Sequence, residues 1–168
     1  MIVLTVTDAS WSGESLESRG ELEPLHSQKA RMVGLSGNGL VIGDRDYVHP
    51  ICFSSKTIRR VCKSTLQAET YSLQWGIEAG VRIRATISDA RGKLGEGDVL
   101  QRGWEEDASK AMRHVWFTDC KSLHDHLTSS CLGKTEDKRL SIDLMSMRRD
   151  IWSHGHEELD SLDPIKVG

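Results

Sequence analysis

The stretch Ser64 to Ile77, STLQAETYSLQWGI, decides how the rest of the chain is read. Ser64 followed three residues later by Gln67 is a capping box, in which two side chains satisfy amide N–H groups that a helix start leaves free. Leu66, Thr70, Leu73 and Ile77 then recur at helical spacing. The pattern predicts an amphipathic helix, carried past Gly80 by Ile83 and Ile87 to Ala90 and ended by Gly92. At about 100° per residue Glu69 falls roughly 60° from Leu66, on the shoulder of the apolar stripe. A carboxylate there either snorkels to water or finds a partner inside the fold.

Composition bounds what that partner is. The chain has 168 residues, enough for one domain with its own core, and 38% hydrophobic and 28% charged residues are ordinary globular values. A net charge of -3 excludes a protein that holds nucleic acid by bulk positive charge, so phosphate contacts must come from local patches. Cys52, Cys62, Cys120 and Cys131 show no CxxC spacing and read as free thiols in a reducing compartment. No run of 18 apolar residues occurs, and Met1 to Val6 is too short for a signal peptide, so a soluble intracellular protein without membrane contact is expected.

At the N-terminus Ile2, Leu4 and Val6 alternate with Val3, Thr5 and Thr7, the spacing of a central strand, and Asp8 shares the face of the first three where the strand runs out. Ala9 to Gln28 is Ser- and Glu-rich and reads as a loop. Ala30–Ser36 and Leu40–Gly43 flank Gly37-Asn38-Gly39, an Asn-Gly turn signal that predicts a hairpin. Tyr47 to Phe53 is a further strand, and Pro50 within it implies either an edge position or a strand that begins at Ile51.

Lys56, Arg59, Arg60 and Lys63 crowd the segment just before the helix start. Such a cluster grips phosphates through charge and free N–H groups, or is a solvated basic loop; the residues allow both. Beyond the helix, Lys93 to Met112 reads as a long connection with one helical turn near Glu105 to Met112. His114 to Phe117 forms a second apolar strand that ends as the first does: Thr7-Asp8 is echoed by Thr118-Asp119. Neighbouring parallel strands would set these two carboxylates side by side at the carboxyl edge of a sheet. Leu123 and Leu127 begin a short helix. Asp137 to Trp152 forms the last one, with Leu140, Leu144, Met147 and Ile151 as its apolar face.

The opening Thr-Asp-Ala-Ser-Trp, then Phe53-Ser54-Ser55-Lys56, then Ser64-Thr65 with Ala68-Glu69 and Tyr71, then Thr118-Asp119-Cys120-Lys121-Ser122-Leu123, together resemble the ribonuclease H domain of copia-type retrotransposon polyproteins. The resemblance covers Ile2 to about Trp152, leaving residues 153–168 as an irregular tail. It implies an α/β, ribonuclease H-like fold with a mixed central sheet flanked by helices, three antiparallel strands first and then a parallel one. It further implies hydrolysis of the RNA strand of RNA/DNA hybrids, two Mg²⁺ (or Mn²⁺) ions held by Asp8, Glu69 and Asp119, and a reverse transcriptase domain upstream. Lys56, Arg59 and Arg60 are then candidate backbone contacts. The family continues into a last strand and a fourth acid in an Ala-Asp-x-Leu-Thr-Lys context. That context is absent after Trp152, where Asp160 and Asp163 lie without it, so the last strand is expected to be missing. Asp143, about 60° from Leu140 on the last helix, is either a substitute fourth acid or a surface salt-bridge residue.

The chemistry accounts for the residue types. Phosphodiester hydrolysis needs an activated water and a stabilised leaving oxyanion, which two hard cations about 4 Å apart supply, and such cations take carboxylate oxygens. Two carboxylates about 5 Å apart repel by roughly 3 kcal/mol at an effective dielectric near 20, so without cations the site strains the fold. The alternative is an inactive retroelement remnant with at most weak nucleic-acid binding. Other motifs are thinner: His124-Asp125-His126 and His154-Gly155-His156 lack a second ligand set, no GxSxG occurs, and Gly34, Gly37 and Gly39 are turn glycines. Of the five tryptophans, Trp11 beside Asp8 is the candidate for base stacking.

Overall fold

The computed structural model describes residues 1–12, 26–42, 44–92, 104–130, 135 and 137–153. Strands β1 (Ile2–Ser10), β2 (Gln28–Ser36) and β3 (Val48–Thr57) come first, then helix α1 (Thr65–Ala90), helix α2 (Trp104–Ala111), strand β4 (His114–Thr118) and helices α3 (Lys121–Thr128) and α4 (Lys138–Ser153). The sheet order is β3-β2-β1-β4, with β1 antiparallel to β2, β2 antiparallel to β3, and β4 parallel to β1. This mixed sheet, three antiparallel strands and then a parallel one, is the arrangement expected from the sequence. No described helix is long and apolar enough to cross a membrane.

The hairpin corrects one expectation. Leu40–Ile42 do not form its second strand: Gly39–Ile42 is a short 3-10 turn, Gly43 lies outside the described residues, and β2 pairs instead with Val48–Thr57. Asp46 explains the difference, because its carboxylate accepts from the Gly39 N–H at 3.1 Å and folds the segment into a compact loop. Gly37 and Gly39 leave the room it needs, since a Cβ at Gly37 would sit 2.2 Å from Asp46 Oδ2. β3 is the edge strand that Pro50 requires, and the register shifts between Val33 and Gly34, opposite the proline. β1 and β2 also run further than the alternation predicted, to Ser10 and from Gln28.

α1 begins as its capping box dictates. Ser64 Oγ accepts from Gln67 N at 3.2 Å, and the Gln67 side chain returns to accept from Lys63 N at 2.8 Å, one residue earlier than the usual reciprocal bond. It ends at Gly92, whose φ of 62° is a left-handed conformation open to glycine, with its N–H bonded to Asp89 O. α4 is capped by Asp137, whose carboxylate accepts from Arg139 N and Leu140 N. Leu73 and Ile77 of the apolar stripe pack with Leu123, Leu127, Leu140, Leu144, Met147 and Ile151 of α3 and α4. Cys62 is buried, Cys52 and Cys120 are half-buried, and all three are free thiols; Cys131 lies outside the described residues.

A second face of α1 lies on the sheet, and it is made of small residues. Ser72, Gly76 and Gly80 follow one another at helical spacing, and Ala79 packs with Val3, Val33 and Met112. A Cβ at Gly76 would stand 2.5 Å from Thr7 Cγ2 and 2.7 Å from Thr5 Cγ2; one at Gly80 would meet the His114 ring at 2.2 Å. Ser72 Oγ lies 2.8 Å from Asp8 O and 2.9 Å from Ala30 O, one hydroxyl proton shared between two strands. His114 is held in one tautomer: Trp116 Nε1 donates to its Nδ1 at 3.1 Å, so Nε2 carries the proton and donates to Thr5 Oγ1 at 2.9 Å. Desolvation, with the charge of Arg84 adding, lowers its pKa to about 3, which keeps it neutral.

Gly76→Ala therefore crowds two stiff β-branched side chains of the central strand. A loss of about 1–3 kcal/mol is expected from overpacking despite the better helix propensity of alanine, read as a lower urea midpoint. An unchanged midpoint would show that the helix can lift away freely.

Candidate metal centre

The register of β1 with β4 builds the first half of the site. Thr7 pairs with Thr118 in parallel, the last pair of that ladder, so the next residues, Asp8 still within β1 and Asp119 just past β4, follow it on adjacent chains. Both threonines are buried and both aspartates are exposed. The chain then turns into α3 through a hydrogen bond from Cys120 N to Thr118 Oγ1 at 3.2 Å.

α1 supplies the third acid. Glu69 stands one turn before Ser72 on the small-residue face, so the close approach of the helix carries it to the end of β1, and it is only 4% exposed. Ligand atoms of Asp8, Glu69 and Asp119 all lie within 4.8 Å of one another, the one such grouping of three or more metal-ligand residues among the described residues. Ala9 N donates to Glu69 Oε1 at 3.3 Å, while Glu69 Oε2 is buried with no hydrogen-bond partner among the described residues. Burial above all, then the charges of Asp119 and Asp8, push the Glu69 carboxyl up to about 7; the Ala9 N–H pulls the other way.

These residues fit a hard divalent cation. The donor set is all carboxylate, two members face solvent, and the third presents a buried oxygen that lacks a partner among the described residues. The arrangement has the charge and the orphaned acceptor that a cation would neutralise.

The other sequence candidates fall elsewhere. Asp143 is half-buried on α4, with Oδ2 unpartnered among the described residues, and does not join the grouping of three. Lys56, next to last in β3, is exposed, as are Arg59 and Arg60 in the loop before α1, where the Arg60 guanidinium stands 5.7 Å from the Tyr71 ring centroid. Lys63 is 3.8 Å from Asp137. Trp11 is 42% exposed, and its Nε1 donates to Cys62 O at 2.9 Å, tying the end of β1 to the basic loop. His124 pairs with Asp125 and His126 lies on the same helix; neither enters a three-ligand grouping, and His154 and His156 lie outside the described residues. The residues missed in the sequence are Ser72, Gly76 and Gly80. Their signal was present as small residues at 3-4-4 spacing from Glu69, a pattern that a search for apolar periodicity passes over.

Two outcomes follow for the metal-free protein. Asp119→Asn removes a like charge from Glu69 and keeps or raises stability at pH 8, by about 1 kcal/mol or ~2–4 °C in melting temperature, since exposure screens the repulsion; a marked drop would contradict the clustering. Glu69 keeps a proton in the folded state between its ordinary 4.5 and about 7 that the unfolded chain has released. Its contribution is therefore full below pH 4.5 and is lost as pH rises through 7. His114 acts in the opposite sense, with stability present above 6.5 and lost as pH falls toward 3. A melting profile with a fall on the alkaline side near pH 7 is expected, and Glu69→Gln should abolish that fall while leaving the acid side in place.

No protein-family model matches the chain, and no curated protein matches it. Among solved structures, the crystal structure of RNase H1 from the halophilic archaeon Halobacterium salinarum NRC-1 is similar, at 16% sequence identity and a TM-score of 0.47, over 92% of this chain and 79% of that one.

Proposed function

We propose that this chain is a metal-dependent ribonuclease that cleaves the RNA strand of RNA/DNA hybrids, as the ribonuclease H part of a retrotransposon polyprotein with a reverse transcriptase domain upstream. The observation that carries the reading is the convergence of Asp8, Glu69 and Asp119 from β1, α1 and the end of β4, with a buried Glu69 oxygen that has no partner among the described residues. The order of acids and the Ser54-Ser55-Lys56 strand end that suggested the family in the sequence support it further.

Asp8, Glu69 and Asp119 would hold Mg²⁺ or Mn²⁺, which when bound supplies an activated water and charge stabilisation for the leaving oxygen. The protein's own residues set the stage. Exposed Asp8 and Asp119 leave the site open to a phosphodiester at the sheet edge, while buried Glu69 is an anchor fixed by the Ala9 N–H and by the Ser72 bonds just below it. Exposed Lys56, Arg59 and Arg60 offer charge to the substrate backbone, and the half-exposed, anchored Trp11 offers a ring face beside Asp8.

A second reading, hybrid binding without turnover, is favoured by the position of Asp143 outside the grouping of acids. One assay separates the two. Incubation of a labelled hybrid with the full chain and Mg²⁺ or Mn²⁺ should yield RNA fragments, with none in EDTA and none above that background for Glu69→Gln. Cleavage that persists in EDTA or in Glu69→Gln would refute the site; binding with no metal-dependent cleavage would establish the second reading.

A further inference from the structure

The acids leave unused a second charged centre on α1. Trp75 is surrounded by cations of the sheet: Lys29 Nζ stands 4.6 Å, Arg31 Cζ 3.9 Å and Lys56 Nζ 5.6 Å from the ring centroid. Lys29 and Lys56 are directly opposed in the β2–β3 ladder, a placement in which like charges repel. Arg31, two residues along the same face, donates to Trp75 O at 2.7 Å and has its Nε buried without a partner among the described residues. None of the three forms an ion pair within the described residues; the carboxylate whose field reaches Lys29 and Arg31 is exposed Glu78, one turn along α1. Burial lowers the Lys29 pKa most, Glu78 opposes it, and Arg31, Lys56 and Arg60 lower it further, so Arg60 belongs to the same field.

An indole face attracts cations but does not neutralise them; an anion does. Arg31 already covers the ring, so the centre presents charge and not a stacking surface. In a chain of net charge -3, four cations that share one neighbourhood, Lys29, Arg31, Lys56 and Arg60, make a local patch suited to successive phosphates. Trp75 is six residues past Glu69, about 9 Å along the helix axis, or roughly two to three nucleotide steps.

We propose that Lys29, Arg31 and Lys56, gathered on Trp75, form a backbone-phosphate site for one strand of a nucleic acid, set along α1 from the three acids. The site reads charge and not sequence. It rests on the reading of the acids as a nucleic-acid site, and binding is measured apart from cleavage so that each can fail alone.

The test is fluorescence anisotropy of a labelled RNA/DNA hybrid against the full chain in EDTA over a series of salt concentrations. Lys29→Gln/Lys56→Gln should weaken binding at least tenfold and reduce the slope of log affinity against log salt by about 2, since each lost phosphate contact removes about 0.9. Lys56→Gln alone, at an exposed position, should reduce it by about 1. Lys138→Gln/Arg139→Gln, with the same change of charge at the start of α4, should leave both readings unchanged. Equal weakening by both double variants, or an unaltered slope in the first, overturns the proposal, as does a wild-type chain that binds no hybrid. An unaltered slope with metal-dependent cleavage intact refutes this site and spares the proposed function. A lost slope in a chain that never cleaves does the reverse.

Discussion

How closely α1 lies on β1 governs whether Glu69 reaches the two aspartates that the β1–β4 pairing sets side by side. The helix can reach the strand only because Ser72, Gly76 and Gly80 present almost no side chain to Thr5, Thr7 and His114. Ser72 then locks the approach by sharing one proton with carbonyls of β1 and β2, immediately below Asp8. A larger residue on this face would lift Glu69 away from the strand end, and the Ala9 N–H would lose its acceptor. Packing here is thus a condition of the chemistry, because a few tenths of an ångström at Gly76 are carried along a stiff helix to the acids.

The same helix sorts charge along its length. Its N-terminal turns carry an acid that burial and two like charges hold protonated up to about 7, and its middle carries a tryptophan ringed by three cations. Each centre is unfavourable alone, one as a concentration of negative charge and the other as a concentration of positive charge. The proposed ligands would relieve both, a divalent cation at the acids and a phosphate at the cations. The near-neutral overall charge conceals this division.

The elements were legible wherever local chemistry determines them. The Ser64/Gln67 capping box, the Gly92 stop, the Asp137 start of α4 and the end of β4 at Thr118 are all short-range signals, and the structure has them in place, whereas β1 runs past Thr7-Asp8 to Ser10. The hairpin was misread because Asn38-Gly39 is a strong turn signal, whereas the bond that decides the loop comes from Asp46, seven residues from Gly39. The apolar stripe of α1 was read as its one buried face. It proved to be the face against α3 and α4, and the sheet side was hidden because glycine and serine carry no hydrophobic signature.

From the sequence alone came the identity and order of the three acids, the types of the elements that bear them, and the place of Glu69 on the shoulder of the apolar stripe, since these depend on residue type and on spacing within single segments. Only the tertiary structure decided that β4 lies parallel to β1 with Thr7 against Thr118, that Glu69 is buried among the other two acids, that Asp143 stands apart, and that Lys29 and Arg31 join Lys56 on Trp75. Each of those facts joins residues far apart in the chain. Strand order, helix approach and cross-strand pairing set them, and no local pattern encodes such distances.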